Sequence, residues 1–199
     1  MTKAFTKRDY NSLFDSRGIV KNYKKAFPVL VYAAKMGQAH AQNLLGYCYD
    51  RGVVTRRNPK AAAHWYKHAA RKNHIEAIYN LALCYDYGWG VATSAKKAFV
   101  LYRRAARMGH KWAQCNVGVM YVDGTGTNVN RSAAISWYSK AADQDDAKAQ
   151  YNLGLCHLDG VGVRKSHRLA IRWFKKAAAH GHEKAAKQLR QLLKDSRPR

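Results

Sequence analysis

Two close pairs of histidines are the side chains best suited to metal chemistry, because imidazole is the commonest ligand of transition metals in proteins. His64 and His68 are four residues apart, and His180 and His182 flank a single glycine. No cysteine or carboxylate cluster with zinc spacing accompanies either pair, and the sequence has no H-E-x-x-H motif. We therefore predict no metal site and no cofactor, and we interpret these histidines as structural or solvated residues.

A Ser-x-x-Lys spacing, from Ser94 to Lys97, is a second pattern with catalytic precedent, since penicillin-binding enzymes use such a serine as nucleophile. The companion S-D-N and K-T-G motifs are absent, and Ser94 falls where a helix N-cap is expected. The glycine pairs at 88–90 and 124–126 do not match the phosphate-binding pattern G-x-x-x-x-G-K-S/T. No catalytic constellation is visible, so we predict that the protein is not an enzyme.

The chain around these residues repeats itself with a period of 36 residues. Four blocks, 38–73, 74–109, 110–145 and 146–181, follow one another without insertion or deletion. The same position is alanine in five places: Ala41, Ala77, Ala113, Ala149 and Ala185. A fixed period of this length predicts an all-α solenoid whose small units bury their apolar faces against their neighbours.

Each block reads as two helices joined by a glycine-containing turn. In the last block, Ala149, Leu153 and Cys156 form a helical apolar stripe, Gly154 allows close approach of another helix, and Gly160 ends the first helix. The second helices begin after strong N-cap residues, which are Asn22, Asn58, Ser94, Asn130 and Ser166. The turn that follows them carries a histidine in three places: His74, His110 and His182.

The two ends of the chain match the pattern only in part. Residues 1–37 are interpreted as a degenerate N-terminal repeat or cap, in which Pro28 is expected to kink a helix or mark a shifted start. Residues 182–199 are interpreted as a polar C-terminal capping helix with a basic tail, because Lys184, Lys187 and Arg190 stand where a further repeat would otherwise dock.

The blocks resemble the Sel-one-like repeat family, a relative of the tetratricopeptide repeats. The resemblance is carried by the runs Ala149–Gly154, Asp159–Val163 and Trp173–Ala178, and it spans roughly residues 22–193. It implies a right-handed α/α superhelical solenoid of helix-turn-helix repeats. It also implies a scaffold or adaptor that brings other macromolecules together, although a shared fold does not transfer a site.

The four cysteines recur about one repeat apart instead of forming pairs within a repeat. Cys48, Cys84 and Cys156 occupy one repeat position, where the third block has Met120, so we interpret them as core residues. Some secreted relatives within the resemblance carry a disulfide in every repeat, and this chain lacks that pattern. With no apolar signal segment after Met1 and no run long enough to span a membrane, we predict a cytoplasmic protein.

In tetratricopeptide-like stacks the first helices line a concave groove. Positions off the buried stripe of these helices are therefore candidates for partner contact, with acids gathered at the N-terminal end, an apolar middle, and Lys184 and Lys187 extending the row. They are His40, Asn43, Tyr47, Asp50, Glu76, Tyr79, Leu83, Asp86, Trp112, Cys115, Val119, Val122, Lys148, Tyr151, Leu155 and Leu158.

The balance of charge is strongly basic, with 36 Lys and Arg against 12 Asp and Glu and a formal net charge of +24. Such a field favours nucleic acid, an anionic membrane or an acidic protein as partner. Basic residues off the second-helix stripe are expected on the convex face. Those assigned to polyanion binding are Lys67, Arg71, Arg103, Arg104, Arg107, Arg168, Arg172, Lys175 and Lys176.

These observations favour a non-enzymatic adaptor that binds a protein partner in the concave groove. The expected partner is a peptide, a helix or an acidic domain. The alternative is a basic solenoid that binds nucleic acid or another polyanion through its convex face, with little sequence specificity because no nucleic-acid-binding motif is present.

Overall fold

The structure is a computed structural model, and it describes residues 6–15 and 20–195. These residues form eleven α-helices and no β-strand, with one isolated bridge between Phe14 and Val20. The helices are α1 (Lys7–Asn11), α2 (Tyr23–Lys35), α3 (Ala39–Arg51), α4 (Pro59–Arg71), α5 (Ile75–Tyr87), α6 (Ala95–Arg107), α7 (Lys111–Asp123), α8 (Arg131–Ala142), α9 (Ala147–Asp159), α10 (His167–Ala179) and α11 (Glu183–Asp195). The predicted all-α class is confirmed.

The chain divides into two compact units, Met1–Leu101 and Tyr102–Arg199, with the boundary inside α6. In the first unit, α2 packs on α3, α3 on α4 and α4 on α5. In the second unit, α7 packs on α8, α8 on α9, α9 on α10 and α10 on α11. Within each unit, helices that are neighbours in sequence are therefore neighbours in space, as expected of helical repeats.

The second helix of each repeat begins where the sequence predicts. Asn22, Asn58, Asn130 and Ser166 each accept a hydrogen bond from the backbone N–H three residues further on. Ser94 caps α6 in the same way, since its Oγ lies 3.4 Å from the backbone nitrogen of Lys97. This bond satisfies a backbone donor that the helix itself leaves unpaired, so the Ser-x-x-Lys spacing has a structural explanation.

The starts of the first helices show a role for histidine that the sequence did not reveal. Nδ1 of His74 lies 3.3 Å from the backbone nitrogen of Ala77, and His110 and His182 cap α7 and α11 with the same geometry. Asp146 does this for α9 through its carboxylate, at 2.7 Å. The three histidines that recur at this repeat position are therefore N-caps.

Because Nδ1 accepts a hydrogen bond only while it carries no proton, acid should weaken these caps. Burial lowers the pKa of His74 and of His182 below that of a free histidine. Between the folded-state and unfolded-state pKa values the unfolded chain therefore binds more protons than the folded protein, and the free energy of unfolding should rise with pH. We expect chemical denaturation to show a lower free energy of unfolding at about pH 5 than at about pH 7.5. The stabilisation by the caps is lost as the pH falls through the folded-state pKa values of these histidines.

The control for this prediction is His182→Asn, which keeps an N-cap side chain but does not titrate. Its stability should depend less steeply on pH than that of the parent protein. An unchanged pH dependence in this variant would show that the His182 cap does not contribute to it.

The first helices end at glycines in the left-handed conformation, which only glycine adopts without strain. Gly52, Gly88, Gly124 and Gly160 have φ angles of 68°, 74°, 73° and 78°. The prediction made for Gly160 is confirmed. Pro28 lies inside α2, which begins directly after Asn22, so the start of this helix is not shifted.

Small residues on the first helix make room for an aromatic ring of the second. A Cβ atom added to Gly154 would lie 2.4 Å from Cε1 of Phe174, and one added to Gly118 would lie 2.5 Å from Cε1 of Tyr138. Gly46 and Tyr66 form the same pair in the first unit. The expected close approach at Gly154 is confirmed, and each ring is at most 3% exposed.

All four cysteines are buried free thiols. Burial raises the pKa of Cys48 and Cys156 to about 11, and that of Cys84 and Cys115 to about 12. The thiols are therefore protonated at neutral pH and pack as small core residues. This agrees with the interpretation of Cys48, Cys84 and Cys156.

Candidate partner-binding site

A hollow of about 290 Å³ opens between α7 and α9 in the second unit. Helical spacing brings Val119 and Val122 of α7 to one wall, and Asn152 and Leu155 of α9 to the other. The remaining lining residues are Asp123, Tyr138, Cys156, Asp159 and Val161. We call this depression the α7–α9 hollow.

The base of the α7–α9 hollow belongs to the packed core. Tyr138 is 3% exposed and lies against Gly118, so its ring is held in place by α7. Burial raises the pKa of the Tyr138 hydroxyl, against a smaller lowering caused by a hydrogen bond with Asn152. The base is therefore rigid and neutral, and Val119, Val122 and Val161 pack at the edge of the same core.

Two exposed carboxylates stand at the rim of the α7–α9 hollow. Asp123 is the last residue of α7 and Asp159 is the last residue of α9. The carboxyl ends of helices carry partial negative charge, which adds to that of the two side chains. An apolar depression with this rim is suited to an apolar side chain that has a basic neighbour.

The structure brings together three of the predicted groove residues of the second unit, because Val119, Val122 and Leu155 all line the α7–α9 hollow. Trp112 is 50% exposed at the start of α7, where Nζ of Lys111 lies 5.9 Å from its ring centroid. It is not among the residues that line the hollow.

Other predicted residues of α9 divide between surface and core. Lys148 is exposed. Tyr151 and Leu158 are part-buried against the cluster that α10 and α11 form, and the Tyr151 ring stacks on His182 at 4.4 Å. These two side chains are therefore partly exposed to solvent and partly packed between helices.

The expectation that Cys115 faces a groove is wrong, because this residue is only 2% exposed. Its Sγ lies 3.9 Å from Nδ2 of Asn152, and its side chain belongs to the core cluster around Tyr138. The first helix contacts both its own second helix and the next repeat, so its covered surface is wider than a single stripe.

The prediction that Asn43 of the first unit faces a groove is also wrong, because this residue is buried. It is 8% exposed, and its Oδ1 accepts a hydrogen bond of 3.2 Å from Nδ2 of Asn80. A buried amide needs such a partner, and this pair joins the first helices of two consecutive repeats.

The other predicted residues of the first unit reach solvent to different degrees. His40 is exposed and stacks on His74, with 3.2 Å between Nδ1 of His40 and Nε2 of His74. Tyr47 is exposed and lies 5.8 Å from the ring of Tyr23. Glu76 is exposed, whereas the part-buried members are Asp50, Tyr79, Leu83 and Asp86.

Sequence reasoning missed the rim of the α7–α9 hollow. Asp123 and Asp159 occupy the same repeat position, directly before the turn glycine, where the second block has Tyr87. That recurrence is a signal in the sequence, but by itself it indicates only the end of a helix before a turn glycine. Only the depth of the hollow beside it shows that these carboxylates border an apolar depression.

The basic residues assigned to polyanion binding lie on the second helices, as predicted. Arg103 and Arg104 are part-buried. The exposed members are Lys67, Arg71, Arg107, Arg168, Arg172, Lys175 and Lys176. Exposure at such positions is usual for a solvated helix face. Binding of a polyanion there stays a prediction.

Within residues 6–15 and 20–195, no group of three or more His, Cys, Asp or Glu side chains is arranged to hold a metal ion. His64 and His68 lie with ring centroids 4.6 Å apart on α4. His180 instead pairs its Nδ1 with Oε1 of Gln150 at 2.9 Å, in a hydrogen bond within the fourth repeat.

Four segments of the sequence match the model of the Sel1 repeat: residues 39–74, 75–110, 113–146 and 147–182. They make up more than half of the chain, which therefore belongs to the Sel1 repeat family. The resemblance stated from the sequence is confirmed. Sel1 repeat proteins are typically scaffolds for protein interactions rather than catalysts.

Solved structures of this class resemble the chain over most of its length. The protective antigen c5321 of uropathogenic Escherichia coli is 35% identical, with a TM-score of 0.78, over 81% of this chain and 34% of that one. A Sel1 repeat protein of Oxalobacter formigenes is 34% identical, with a TM-score of 0.77, over 84% of this chain and 69% of that one. This chain thus spans about a third of c5321.

A more distant structure shares the fold alone. Helicobacter pylori cysteine rich protein B is 24% identical, with a TM-score of 0.53, over 69% of this chain and 99% of that one. A comparison with curated proteins gives no match.

No helix in the described ranges 6–15 and 20–195 combines the length and the apolar character needed to cross a membrane.

Proposed function

We propose that the protein is a non-enzymatic adaptor that binds a segment of a partner protein in the α7–α9 hollow. The observation that carries the proposal is the composition of this hollow, with Val119, Val122 and Leu155 in its walls and two carboxylates at its rim. Membership of a family of interaction scaffolds supports it. The partner segment inserts an apolar side chain and places a basic side chain near Asp123 and Asp159.

An apolar side chain is the energetically favoured group to enter the α7–α9 hollow. Binding energy in protein interfaces is concentrated in a few apolar or aromatic anchors that fill pockets on the partner. The base of the hollow is rigid, so little ordering is needed when the anchor enters. The carboxylates add specificity, because they disfavour an acidic segment at the same place.

Val122→Asp should remove binding at the α7–α9 hollow, because it puts a charge where the anchor is desolvated. The matched control is Val129→Asp, which makes the same change at a 54% exposed valine outside the hollow. We expect affinity capture from native lysate, measured by quantitative mass spectrometry, to yield a protein that binds the parent and Val129→Asp but not Val122→Asp. Circular dichroism checks that both variants are folded.

The role of the rim is tested by charge reversal. The double variant Asp123→Lys with Asp159→Lys should weaken binding of the captured protein by about tenfold or more. The control, Asp143→Lys with Glu183→Lys, changes the net charge equally at exposed acids outside the hollow and should bind as the parent does. If Val122→Asp and the rim variant both retain the captured protein, the α7–α9 hollow is not the binding site.

A further inference from the structure

A second and larger hollow, of about 490 Å³, lies in the first unit between α4, α5 and α6. We call it the lysine hollow. Its floor is apolar and its rim is basic. The lining residues are Lys67, Leu81, Tyr85, Lys96, Lys97, Val100 and Leu101. None of them belongs to the α7–α9 hollow, and none is an acid.

This repeat departs from the others at one part-buried position that lines the lysine hollow. Leu101 stands where the other three full repeats carry Trp65, Trp137 and Trp173. Indole is much larger than the leucine side chain, so its replacement leaves space beside α5. In the second unit the corresponding tryptophans are part-buried, and Nζ of Lys140 and Nζ of Lys176 lie 4.5 Å and 4.8 Å from their ring centroids.

Two neighbouring positions depart from the repeat pattern in a way that suits a ligand. Val100 is 50% exposed, although the equivalent positions are polar: His64, Ser136 and Arg172. Lys97 is charged, although the equivalent positions are apolar: Ala61, Ala133 and Leu169. The repeat framework needs neither change, so apolar surface and positive charge are both added at one place.

The three lysines give the lysine hollow a strong preference for negative charge. Lys67, Lys96 and Lys97 are exposed, and Nζ of Lys97 lies 5.2 Å from the ring centroid of Tyr85. Their aliphatic stems extend the apolar wall while their ammonium groups stay in water. A ligand that uses the whole site therefore has an apolar part for the floor and anionic groups for the rim.

We propose that the lysine hollow binds an acidic amphipathic segment of a partner protein. An apolar side chain of that segment packs on Leu81, Val100 and Leu101, and its flanking carboxylates pair with Lys67, Lys96 and Lys97. Charge complementarity selects this occupant, and the apolar floor distinguishes it from a nucleic acid, which presents phosphates and bases but no aliphatic side chain. The site is separate from the α7–α9 hollow and prefers the opposite charge.

The probe for this proposal is a fluorescein-labelled peptide with a central phenylalanine flanked by glutamates, measured by fluorescence anisotropy with the full chain. Leu101→Trp restores the residue of the other repeats and fills the lysine hollow without changing any charge. We expect it to weaken binding by about tenfold or more, since a filled pocket admits no anchor. Val100→Asp is a second variant with the same expected loss, at an exposed position that core packing does not use.

The charged rim has its own pair of variants. Lys67→Glu, Lys96→Glu and Lys97→Glu combined should abolish measurable binding. The control combines Lys21→Glu, Lys24→Glu and Lys25→Glu, which are exposed lysines of the same unit outside the lysine hollow. Acids are favourable near the N-terminus of α2, so this control should fold and should keep its affinity within about twofold.

Three results would each overturn the proposal. The first is equal affinity for a peptide in which glycine replaces the phenylalanine. The second is unchanged binding by both Leu101→Trp and Val100→Asp. The third is displacement of the peptide by an oligonucleotide or by phosphatidylserine vesicles that bind the parent and Leu101→Trp alike, because the site would then be a general polyanion surface. Failure of the α7–α9 hollow in its own test leaves these readouts unaffected.

Discussion

Phe174→Ala is expected to destabilise the protein by about 3–5 kcal/mol, the usual cost of removing a large aromatic side chain from a core. Phe174 is fully buried, at 0% exposure, and its ring lies against Gly154 of α9 with the Tyr151 ring 5.6 Å away. Because Gly154 has no side chain, nothing at that position can move into the cavity that Phe174→Ala would leave. Chemical denaturation followed by circular dichroism measures the effect.

The control for Phe174→Ala is Leu193→Ala, which truncates a 44% exposed side chain in the same unit and should cost less than about 0.5 kcal/mol. Gly154→Ala provides a coupled test. It should destabilise the parent protein, because its Cβ would contact the ring, but it should be tolerated beside Phe174→Ala, where the space is empty. Additive effects of the two substitutions would contradict the packing described for this pair.

Ala113→Leu is expected to destabilise the protein by about 1–3 kcal/mol, because extra methylene groups in a packed core force neighbouring side chains and backbone to shift. Ala113 is fully buried in the first turn of α7, where its backbone N–H donates to Nδ1 of His110. Since contacts are mainly between neighbouring repeats, hydrogen exchange should show the loss concentrated in the central repeats.

Lys67→Ala is the matched surface substitution, and it should change the free energy of unfolding by less than about 0.5 kcal/mol because Lys67 is exposed. The two variants are compared by chemical denaturation. A neutral Ala113→Leu together with a strongly destabilising Lys67→Ala would reverse the assignment of buried and exposed helix faces on which both candidate sites depend.

The family and the individual helices were predictable from local signals. N-cap residues such as Asn58 and Ser166, the turn glycine Gly160 and the small residue Gly154 each act within one turn or one helix pair, and the 36-residue period repeats every signal. Agreement of the repeats made an accidental match improbable, so sequence alone predicted the all-α class and the helix starts.

Which side chains of a first helix reach solvent was decided by tertiary structure. Helical periodicity gives the direction of a residue around the axis, but the width of the covered surface depends on how closely the neighbouring helices approach. Asn43 and Cys115 point away from the main stripe, and yet asparagines of the following repeat cover them. Spacing alone therefore did not distinguish these covered positions from exposed ones.

The two candidate sites show the same division between local and tertiary information. The sequence determined that Leu101 replaces a repeated tryptophan and that Asp123 and Asp159 precede turn glycines. It did not determine that each feature borders an apolar depression, because each hollow is formed by side chains from three helices. Local residue types set the chemistry of these surfaces, and the packing distances between helices decided where that chemistry is accessible.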